Sequence, residues 1–299
     1  MRILVTGAGG LLAGALRQQA PEGVELVSLG RSEFDLLKDS LMGLRLAELR
    51  PEVVINTAAY NAVDQCEVER DLSWAVNAAG PQRLAELCAT RGIKLVHFGT
   101  DYIFDGAQST PYTEDDKPNP INHYAAGKLV GERAVLAASP RHLVLRPSWI
   151  FGQHQTKPRT YVHAILRQAI AGTTLRATTD QASVPTYAPD LARWVFALVK
   201  RGASGLFNSV NDEGLSRFEW TKVIVDEARG AGIIAKPAEV LPVTTAFFNP
   251  NIRRSPYNIL SNQKLATFLG ETPGSWRRGL REMLRQPPWC PHTPCRDDD

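Results

Sequence analysis

Hydrophobic and polar positions alternate on two different periods in the first half of the chain. Short runs rich in Val, Ile and Leu predict β-strands, and the segments between them carry apolar residues at helical spacing. The predicted strands are RILVTG, VELVSLG, EVVINTAA, IKLVHFGT and HLVLRPSWIFG. The predicted helices are LLAGALRQQA, SLMGLRLAELR, LSWAVNAAGPQRLAELCATRG and INHYAAGKLVGERAVLAA. Apolar strands that alternate with helices predict an α/β fold, a Rossmann-type doubly wound parallel sheet covered on both faces.

The regular alternation loosens after residue 152. Helical patterns such as YVHAILRQAIAG and DLARWVFALVKRG are separated there by loops that carry Pro, Thr and Asn. Long irregular segments on a rigid sheet are often where ligands bind. We expect a dinucleotide-binding domain with the catalytic residues over 1–152. A smaller C-terminal substrate-binding lobe should occupy most of 153–286, with some segments returning to the sheet, and 287–299 should be a disordered tail.

Composition and charge exclude several classes of protein. The net charge is only +3 and the basic residues form no long run, which argues against a nucleic-acid partner. No apolar stretch reaches the length of about 18 residues that a membrane span needs. The N-terminus MRILVTGAGG lacks the apolar segment and cleavage site of a signal peptide. We therefore expect a cytoplasmic protein with no membrane partner.

The cysteines do not predict a metal site. Cys66 and Cys88 fall in helical patterns, where free cysteines are usually buried. Cys290 and Cys295 flank His292 in the tail WCPHTPC, and three candidate ligands in a Pro-rich tail make a poor site for a metal. A disulfide between the two tail cysteines stays open. We predict that no metal is bound.

A glycine-rich turn, TGAGGLLAG, directly follows the first predicted strand and opens the first helix. Its spacing is Gly7-x-x-Gly10-x-x-Ala13. Gly7 permits a tight turn, and Gly10 lets the backbone approach a pyrophosphate at the helix N-terminus, where free N–H groups bind anions. A glycine pattern alone is weak evidence, but this one has the strand–turn–helix context that a dinucleotide site requires. We predict a dinucleotide site here.

The end of the second strand bears on which nicotinamide cofactor is bound. An acidic residue there would bind the adenosine ribose hydroxyls of NAD. Gly30 is followed instead by Arg31 and Ser32, which suit a 2′-phosphate, so we predict NADPH, with NADH as the alternative. The predicted cofactor contacts are Gly7, Gly10, Leu11, Leu12, Arg31, Asp35, Leu36, Ala58, Ala59, Tyr60, Tyr124 and Lys128.

Three residues indicate chemistry on a carbonyl group. Thr100 ends the strand KLVHFGT, at the edge of the sheet where open α/β folds bind ligands. Tyr124 and Lys128 stand four residues apart on the next helix, in a pattern that suggests a surface position, and therefore share one face. We expect the lysine ammonium, with an oxidised nicotinamide ring nearby, to lower the pKa of Tyr124 toward the working pH. Tyr124 would then protonate a forming alkoxide while Thr100 hydrogen-bonds the same oxygen.

Together these segments resemble an extended short-chain dehydrogenase/reductase, and within that superfamily the dTDP-4-dehydrorhamnose reductase family. The resemblance runs nearly end to end. INTAAYNAVDQCE and TDYIFDG are its specific segments, whereas the glycine turn and the Tyr-x-x-x-Lys spacing are shared more widely. It implies reduction of the 4-keto group of a dTDP-linked 6-deoxysugar by NADPH or NADH in deoxysugar biosynthesis. Thr100, Tyr124 and Lys128 would be the catalytic triad.

The resemblance also implies a set of substrate contacts. Trp149 matches a tryptophan that borders the sugar, although a core aromatic at a strand end is the alternative. Asn61 and Val63 match a loop that faces the sugar, and Tyr102 lies beside it. Arginine and lysine can bind the diphosphate, and the candidates are Lys157, Arg159, Arg253 and Arg254. The predicted substrate contacts are Asn61, Val63, Thr100, Asp101, Tyr102, Trp149, Arg253 and Arg254.

Four positions depart from the family's pattern. The family usually has threonine in place of Asn61 and often glycine in place of Ser183, so a different keto sugar is an open alternative. Gly99 stands where a serine often precedes the catalytic threonine, which predicts a looser nicotinamide environment. Some members bind Mg²⁺ between subunits through a glutamate at the position of Ala15, whose methyl group cannot ligate a hard cation. We expect no metal-bridged dimer and leave the oligomeric state open.

Two other functions are kept as alternatives. The non-catalytic regulatory subunit of methionine adenosyltransferase resembles the same reductases, and such a subunit needs the cofactor fold without a working acid. The intact Thr100, Tyr124 and Lys128 favour an enzyme over that alternative. A sugar-nucleotide epimerase or dehydratase is the second alternative. Dehydratases typically place acidic residues directly after the threonine, whereas Asp101 is followed here by Tyr102.

Overall fold

The computed structural model describes residues 1–153, 160–236, 238–248 and 252–286. Its strands are β1 Arg2–Thr6, β2 Glu25–Leu29, β3 Val53–Asn56, β4 Lys94–Phe98, β5 Leu143–Arg146, β6 Ile150–Phe151, β7 Leu175–Thr178, β8 Ala182–Ser183, β9 Thr186–Tyr187, β10 Gly205–Asn208, β11 Leu215–Ser216 and β12 Val240–Val243. Its α-helices are α1 Leu11–Gln18, α2 Asp39–Leu49, α3 Val63–Val68, α4 Arg70–Trp74, α5 Gly80–Ala89, α6 His123–Ala138, α7 Tyr161–Ile170, α8 Ala188–Lys200, α9 Arg217–Gly230, α10 Thr245–Phe248, α11 Gln263–Leu269 and α12 Trp276–Leu284. No helix in these ranges is long and apolar enough to cross a membrane.

Six strands form one parallel sheet in the order β2-β1-β3-β4-β5-β10. Strand β1 lies inside the sheet, where Val5 pairs with Ser28 of β2 on one side and with Ile55 of β3 on the other. From β1 the chain winds first to one side and then to the other. The crevice at the carboxyl ends of β1 and β3 is therefore the topological switch point, where open α/β sheets bind ligands. The predicted Rossmann-type parallel sheet is confirmed.

Both faces of the sheet are covered by helices, which explains why the strands are apolar throughout. Ile3 and Val5 point to one face and pack with apolar residues of α1 and α8. Leu4 points to the opposite face and packs with Met42 of α2 and Leu84 of α5. Each central strand thus contributes alternate side chains to two separate cores.

The second half of the chain contributes both to the sheet and to a smaller lobe. Strand β10 pairs in parallel with β5, with Gly205 opposite Leu143, and α8 packs on the sheet beside α1. A separate apolar cluster is built mainly by α7, α9 and α12, and it includes Leu166, Trp220 and Trp276. The lobe therefore has its own core, while residues 188–208 belong to the sheet layer.

The helix predicted over residues 72–92 is interrupted. Helix α4 ends at Trp74, a π-helical turn follows over Ala75–Ala79, and α5 begins at Gly80. Within the π turn, the side chain of Asn77 accepts a hydrogen bond from Tyr60 N and donates one to Tyr60 O, each at 2.9 Å. A π turn inserts one residue into the helix, and here it places this buried amide against the loop after β3.

Helix α6 approaches the π turn closely at Gly131. A Cβ atom at this position would overlap the Asn77 carbonyl oxygen, so the two backbones can pack this tightly only with glycine. One turn earlier, a Cβ at Gly127 would lie 3.5 Å from Asn77 Cβ, which is ordinary van der Waals contact. The two glycines therefore differ in how much the packing requires them.

Replacing Gly131 with alanine is expected to lower the free energy of unfolding by about 1–3 kcal/mol, because the added methyl group would push α6 away from the π turn. Gly127→Ala on the same helix is the matched control. It should leave stability unchanged or raise it by up to about 1 kcal/mol, since glycine loses more backbone entropy on folding than alanine. Urea unfolding followed by circular dichroism measures both variants. Equal effects of the two substitutions would contradict the close approach.

Candidate active site

A cavity of about 910 Å³ opens at the carboxyl ends of β1, β3, β4 and β5 and extends to the smaller lobe. It collects residues that are far apart in the sequence: the glycine turn, the loop after β3, the end of β4, helix α6 and the segment after β5. The predicted site residues that line it are Gly10, Leu11, Leu12, Ala59, Asn61, Val63, Thr100, Asp101, Tyr102, Tyr124, Lys128 and Trp149. Six of the twelve predicted cofactor contacts therefore share one space with the predicted catalytic residues and with most of the predicted sugar contacts.

The glycine turn has the geometry of an anion-binding helix start. Gly7 adopts a φ of 71°, a left-handed conformation that favours glycine. A Cβ at Gly7 would lie only 3.0 Å from Ala58 N, so the turn packs closely against the loop after β3. Gly7 and Ala58 themselves do not line the cavity. Gly10 precedes α1 with an extended backbone, and no side chain caps the first N–H groups of the helix. The turn thus fits a pyrophosphate.

The residues after β2 that were predicted to contact the 2′-phosphate end of NADPH lie around the tip of that strand. They do not line the cavity. Arg31 is exposed, and its Nε lies 3.7 Å from Asp35 Oδ2. Glu33, which the motif analysis did not select, accepts a hydrogen bond from Gly30 N at 3.1 Å. Leu36 is buried in the core under the sheet. Among these residues, Arg31 presents an exposed positive charge.

The loop after β3 contributes several residues to the cavity wall, but not all of its predicted contacts. Ala59, Asn61 and Val63 line the wall. Tyr60 does not: its hydroxyl donates a 2.5 Å hydrogen bond to Glu69 Oε2. The side chain of Tyr60 thus holds the loop, and the predicted contact of Tyr60 with the cofactor stays a prediction.

Thr100 and Tyr124 meet in the cavity beside the end of β4. Thr100 caps the short 3₁₀ turn Asp101–Ile103, and its Oγ1 accepts a 3.3 Å hydrogen bond from Tyr102 N. The same Oγ1 donates to Asp101 Oδ1 at 3.2 Å. Tyr124 lies in the first turn of α6, where Asn122 Oδ1 caps the helix by accepting a 2.8 Å hydrogen bond from Ala125 N.

The lowered pKa predicted for Tyr124 depends on a nearby oxidised nicotinamide ring, and in the protein alone the pKa shift has the opposite direction. Tyr124 and Lys128 are buried, at 7% and 3% exposure, although the helix pattern suggested a surface position. Burial raises the pKa of Tyr124 above its ordinary value, and the Thr100 hydroxyl offsets this only in part. Burial also lowers the pKa of Lys128 to about 8. Lys128 Nζ donates a 2.6 Å hydrogen bond to Phe98 O, which ties α6 to β4.

The looser nicotinamide environment expected from Gly99 stays a prediction, but the space into which a side chain would project is filled. A Cβ at Gly99 would lie 2.6 Å from Glu132 Oε2 and 3.1 Å from Arg146 Cγ. Glu132 and Arg146 form a buried two-point ion pair, with Arg146 Nε–Oε2 at 2.9 Å and Nη2–Oε1 at 2.6 Å. Gly99 therefore packs tightly against this pair, and a serine would not fit without displacing it.

The wall towards the smaller lobe is aromatic. Trp149 has a φ of 38°, a conformation that bulky residues rarely adopt. Its ring stacks on the ring of Trp220, with 5.4 Å between the ring centres. The ring of Trp220 in turn stacks on that of Tyr161, with 5.1 Å between the centres. The guanidinium carbon of Arg217 lies 3.6 Å from the centre of the Trp149 ring. Sequence reasoning missed Tyr161, Arg217 and Trp220, because they belong to lobe segments without a recognised motif.

A second cavity of about 540 Å³ adjoins the first. Arg254 lines it and forms an ion pair with Asp64. Arg253 is exposed and lines neither cavity, and its carbonyl oxygen accepts a 3.1 Å hydrogen bond from Asn122 Nδ2. The other basic residues predicted for the diphosphate, Lys157 and Arg159, lie outside the described residues, as do Cys290, His292 and Cys295.

Comparison with known proteins identifies the family. Residues 1–287 match the family described as the RmlD substrate binding domain. The dTDP-4-dehydrorhamnose reductase of Mycobacterium tuberculosis (strain ATCC 25618 / H37Rv) is 37% identical over 293 residues, which cover 96% of this chain and 93% of that protein. The crystal structure of dTDP-4-dehydrorhamnose reductase from Bacillus anthracis, in complex with NADP, matches with a TM-score of 0.88 at 30% identity, over 95% of this chain and 98% of that one. The chain belongs to the dTDP-4-dehydrorhamnose reductase family.

Family membership confirms the resemblance inferred from the segments after β3 and β4. A further relative is a probable dTDP-4,6-dihydroxy-2-methyloxan-3-one 4-ketoreductase of Streptomyces antibioticus, which is 33% identical with 99% of each chain covered. Relatives that are 33% and 37% identical to this chain are thus named for two different keto sugars.

Two departures from the family pattern have clear places in this member. Ser183 Oγ lies 2.7 Å from Asp101 Oδ2, so it fixes the carboxyl that also accepts the hydrogen bond from Thr100. Ala15 is buried in the core between α1 and α8. Within the described residues, no cluster of three or more His, Cys, Asp or Glu could hold a metal ion.

Asp101 is a buried acid beside Thr100. It is 2% exposed, and burial raises its pKa to about 6, although hydrogen bonds from Ser183 and Thr100 oppose the rise. The folded state therefore keeps the proton on Asp101 at pH values where the unfolded chain, with an ordinary pKa of 3.8, has released it.

Asp101 is expected to make folding less favourable as the pH rises from about 4 to about 6, because the folded state binds the proton more tightly in this window. The contribution is roughly 3 kcal/mol, and Asp101→Asn should remove it. Urea unfolding of both proteins between these pH values measures it. The free energy of unfolding should fall more steeply with pH for the unsubstituted protein. Parallel profiles would contradict an ionisable group buried at this point.

Proposed function

We propose that this chain reduces the 4-keto group of a dTDP-linked 6-deoxysugar with NADPH. The single observation that carries the proposal is the shared cavity, in which Thr100, Tyr124 and Lys128 line the same space as the glycine turn. The names of the relatives from Mycobacterium tuberculosis and Bacillus anthracis support the reaction, and the NADP bound to the latter supports the cofactor.

The dinucleotide is held by the first domain, residues 1–152. The turn at Gly7 and Gly10 and the uncapped start of α1 receive the pyrophosphate. Arg31, exposed at the tip of β2, receives the 2′-phosphate. NADPH, when bound, supplies the hydride for the carbonyl carbon.

The chain's own residues handle the proton and the charge. Tyr124 donates its phenolic proton to the carbonyl oxygen as that oxygen becomes an alkoxide. Thr100 turns its hydroxyl proton from Asp101 Oδ1 to the same oxygen and stabilises the developing charge. Tyr102 N donates a hydrogen bond to Thr100 Oγ1 and keeps the threonine in place as its proton turns. Lys128, held by Phe98 O, puts a positive charge near the phenol.

The sugar lies between the loop after β3 and the lobe. Asn61, Val63 and Tyr102 face it from one side, and Trp149 borders it from the other. dTDP-4-dehydrorhamnose is the substrate class that the family name supports best. Because Asn61 and Ser183 depart from the family pattern, another dTDP-4-keto-6-deoxysugar is the second candidate.

Tyr124→Phe is expected to lower kcat by about 10²–10⁴-fold, because the variant lacks the proton donor. Its affinity for NADPH should change little. The assay follows loss of reduced-cofactor absorbance with freshly generated dTDP-4-keto-6-deoxy-L-sugar. Tyr257→Phe is the matched control, since this partly buried tyrosine lines neither cavity. The Tyr257→Phe variant should keep the kcat of the unsubstituted protein. Tight NADPH binding without sugar-dependent oxidation in the unsubstituted protein would favour a regulatory subunit instead.

Arg31→Ala is expected to weaken NADPH binding by about tenfold or more and to leave NADH binding nearly unchanged, because only NADPH carries the 2′-phosphate. Lys38→Ala, which removes another exposed positive charge from the same region, should affect both cofactors equally and slightly. Fluorescence titration of each variant with both cofactors gives the four dissociation constants. Equal weakening of NADPH and NADH by Arg31→Ala would remove the assigned role.

A further inference from the structure

The catalytic cavity and the second cavity share part of their walls, and one charged side chain lies in the shared part. The described residues that line both cavities are Ala62, Val63, Tyr102, Tyr161 and Arg217. Arg217 alone among them carries a charge. The junction between the catalytic cavity and the second cavity is therefore electropositive, and its charge comes from a residue that the sequence motifs do not select.

The local sequence fixes where this arginine stands. Ser216 and Glu219 form a capping box at the start of α9, with Ser216 Oγ accepting a hydrogen bond from Glu219 N at 3.1 Å. Arg217 is the first residue of the helix, and its backbone N donates a 3.0 Å hydrogen bond to Gln181 O. Its backbone is thus held at both sides, and its side chain extends to the junction.

The guanidinium packs mainly against aromatic faces, and the buried Asp101 carboxyl is near enough to interact with its charge, although the two form no hydrogen bond or ion pair. Its central carbon lies 3.6 Å from the ring centre of Trp149, 4.4 Å from that of Tyr161 and 5.1 Å from that of Trp220. It forms no hydrogen bond or ion pair with any described residue, and its Nη1 is buried without a partner. A buried donor left unsatisfied is costly, and aromatic faces stabilise the charge without occupying its N–H groups.

The other arginines of the second cavity are arranged differently. Arg254 is paired with Asp64, and Arg176 lies over Phe247 with its central carbon 5.6 Å from the ring centre. Neither lines the catalytic cavity. Arg217 lines the wall of both cavities, and its fork of donors, with Nη1 buried and unpaired among the described residues, matches the oxygens of a phosphate.

We infer that Arg217 binds the diphosphate of the nucleotide sugar at the junction, with the sugar in the catalytic cavity and the nucleoside in the second cavity. This inference rests on the proposed function, because it takes the substrate to be a nucleoside-diphosphate sugar. The diphosphate is the part of such a substrate that links sugar to nucleoside, and the junction is where the two cavities connect. Trp149, Tyr161 and Trp220 orient the guanidinium before the ligand arrives.

The test measures binding of dTDP and of thymidine by isothermal titration calorimetry, without turnover. Arg217→Met should weaken dTDP binding at least tenfold and leave thymidine binding unchanged, because only dTDP carries the phosphates. Arg217→Lys, which keeps a charge but loses the fork, should weaken dTDP binding by a smaller factor. Arg229→Met is the matched control, since this exposed arginine on the same helix should leave both affinities unchanged.

Several outcomes would overturn the inference. One is an unchanged affinity of the Arg217→Met variant for dTDP. Another is an equal loss of affinity for dTDP and for thymidine, because such a loss would indicate that the arginine has only a structural role. NADPH affinity, expected to stay constant, reports that each variant is folded. If Arg217→Met does not fold, Arg217→Lys decides: its dTDP affinity must fall while its thymidine affinity holds. Arg217-dependent dTDP binding by a protein that reduces no keto sugar would overturn the proposed reaction and leave this inference standing.

Discussion

The seating of helix α6 against the sheet is the constraint on which the candidate site depends. Tyr124, Lys128 and Glu132 follow one another at a spacing of four, so they lie along one face of the helix, and all three are buried. Lys128 Nζ donates to Phe98 O at the end of β4, and Glu132 pairs with Arg146 at the end of β5. These two contacts with neighbouring strands fix the height and rotation of α6. Tyr124, one turn earlier, is thereby aimed into the cavity.

Two glycines make this seating sterically feasible. Gly131 lets α6 approach the π turn at Asn77, and Gly99 leaves room for the Glu132 carboxylate above the end of β4. An ion pair buried as deeply as Glu132–Arg146 adds little net stability, because desolvation of both charges offsets their attraction. Its contribution is positional, since it holds the helix where Tyr124 and Lys128 line the cavity. The missing side chain at Gly99 thus leaves room for the pair that positions α6.

The sequence was sufficient for the features that depend on local pattern, and it failed where several distant segments determine the environment. Apolar strands, the glycine turn and the i, i+4 pair of Tyr124 and Lys128 each follow from residues close together in the chain. The direction of the Tyr124 pKa shift does not, because burial depends on what α6 packs against. Arg217 belongs to no motif, and its place against Trp149 arises from lobe folding. Arg253 was selected by resemblance, but its side chain is exposed.

The burial that raises the pKa of Tyr124 in the protein alone also favours the reductive direction. Because burial raises the pKa of Tyr124 above 10.0, its phenol stays protonated at neutral pH, ready to donate a proton and unable to accept one. An alkoxide formed from a ketone is more basic than a phenolate, so it can take this proton without any prior lowering of the tyrosine pKa. Lys128, with its pKa lowered to about 8 by burial, still carries a positive charge at neutral pH. That charge stabilises the phenolate left behind. Burial of α6 therefore raises the pKa of Tyr124, the proposed acid, and lowers that of Lys128, the proposed source of the balancing charge.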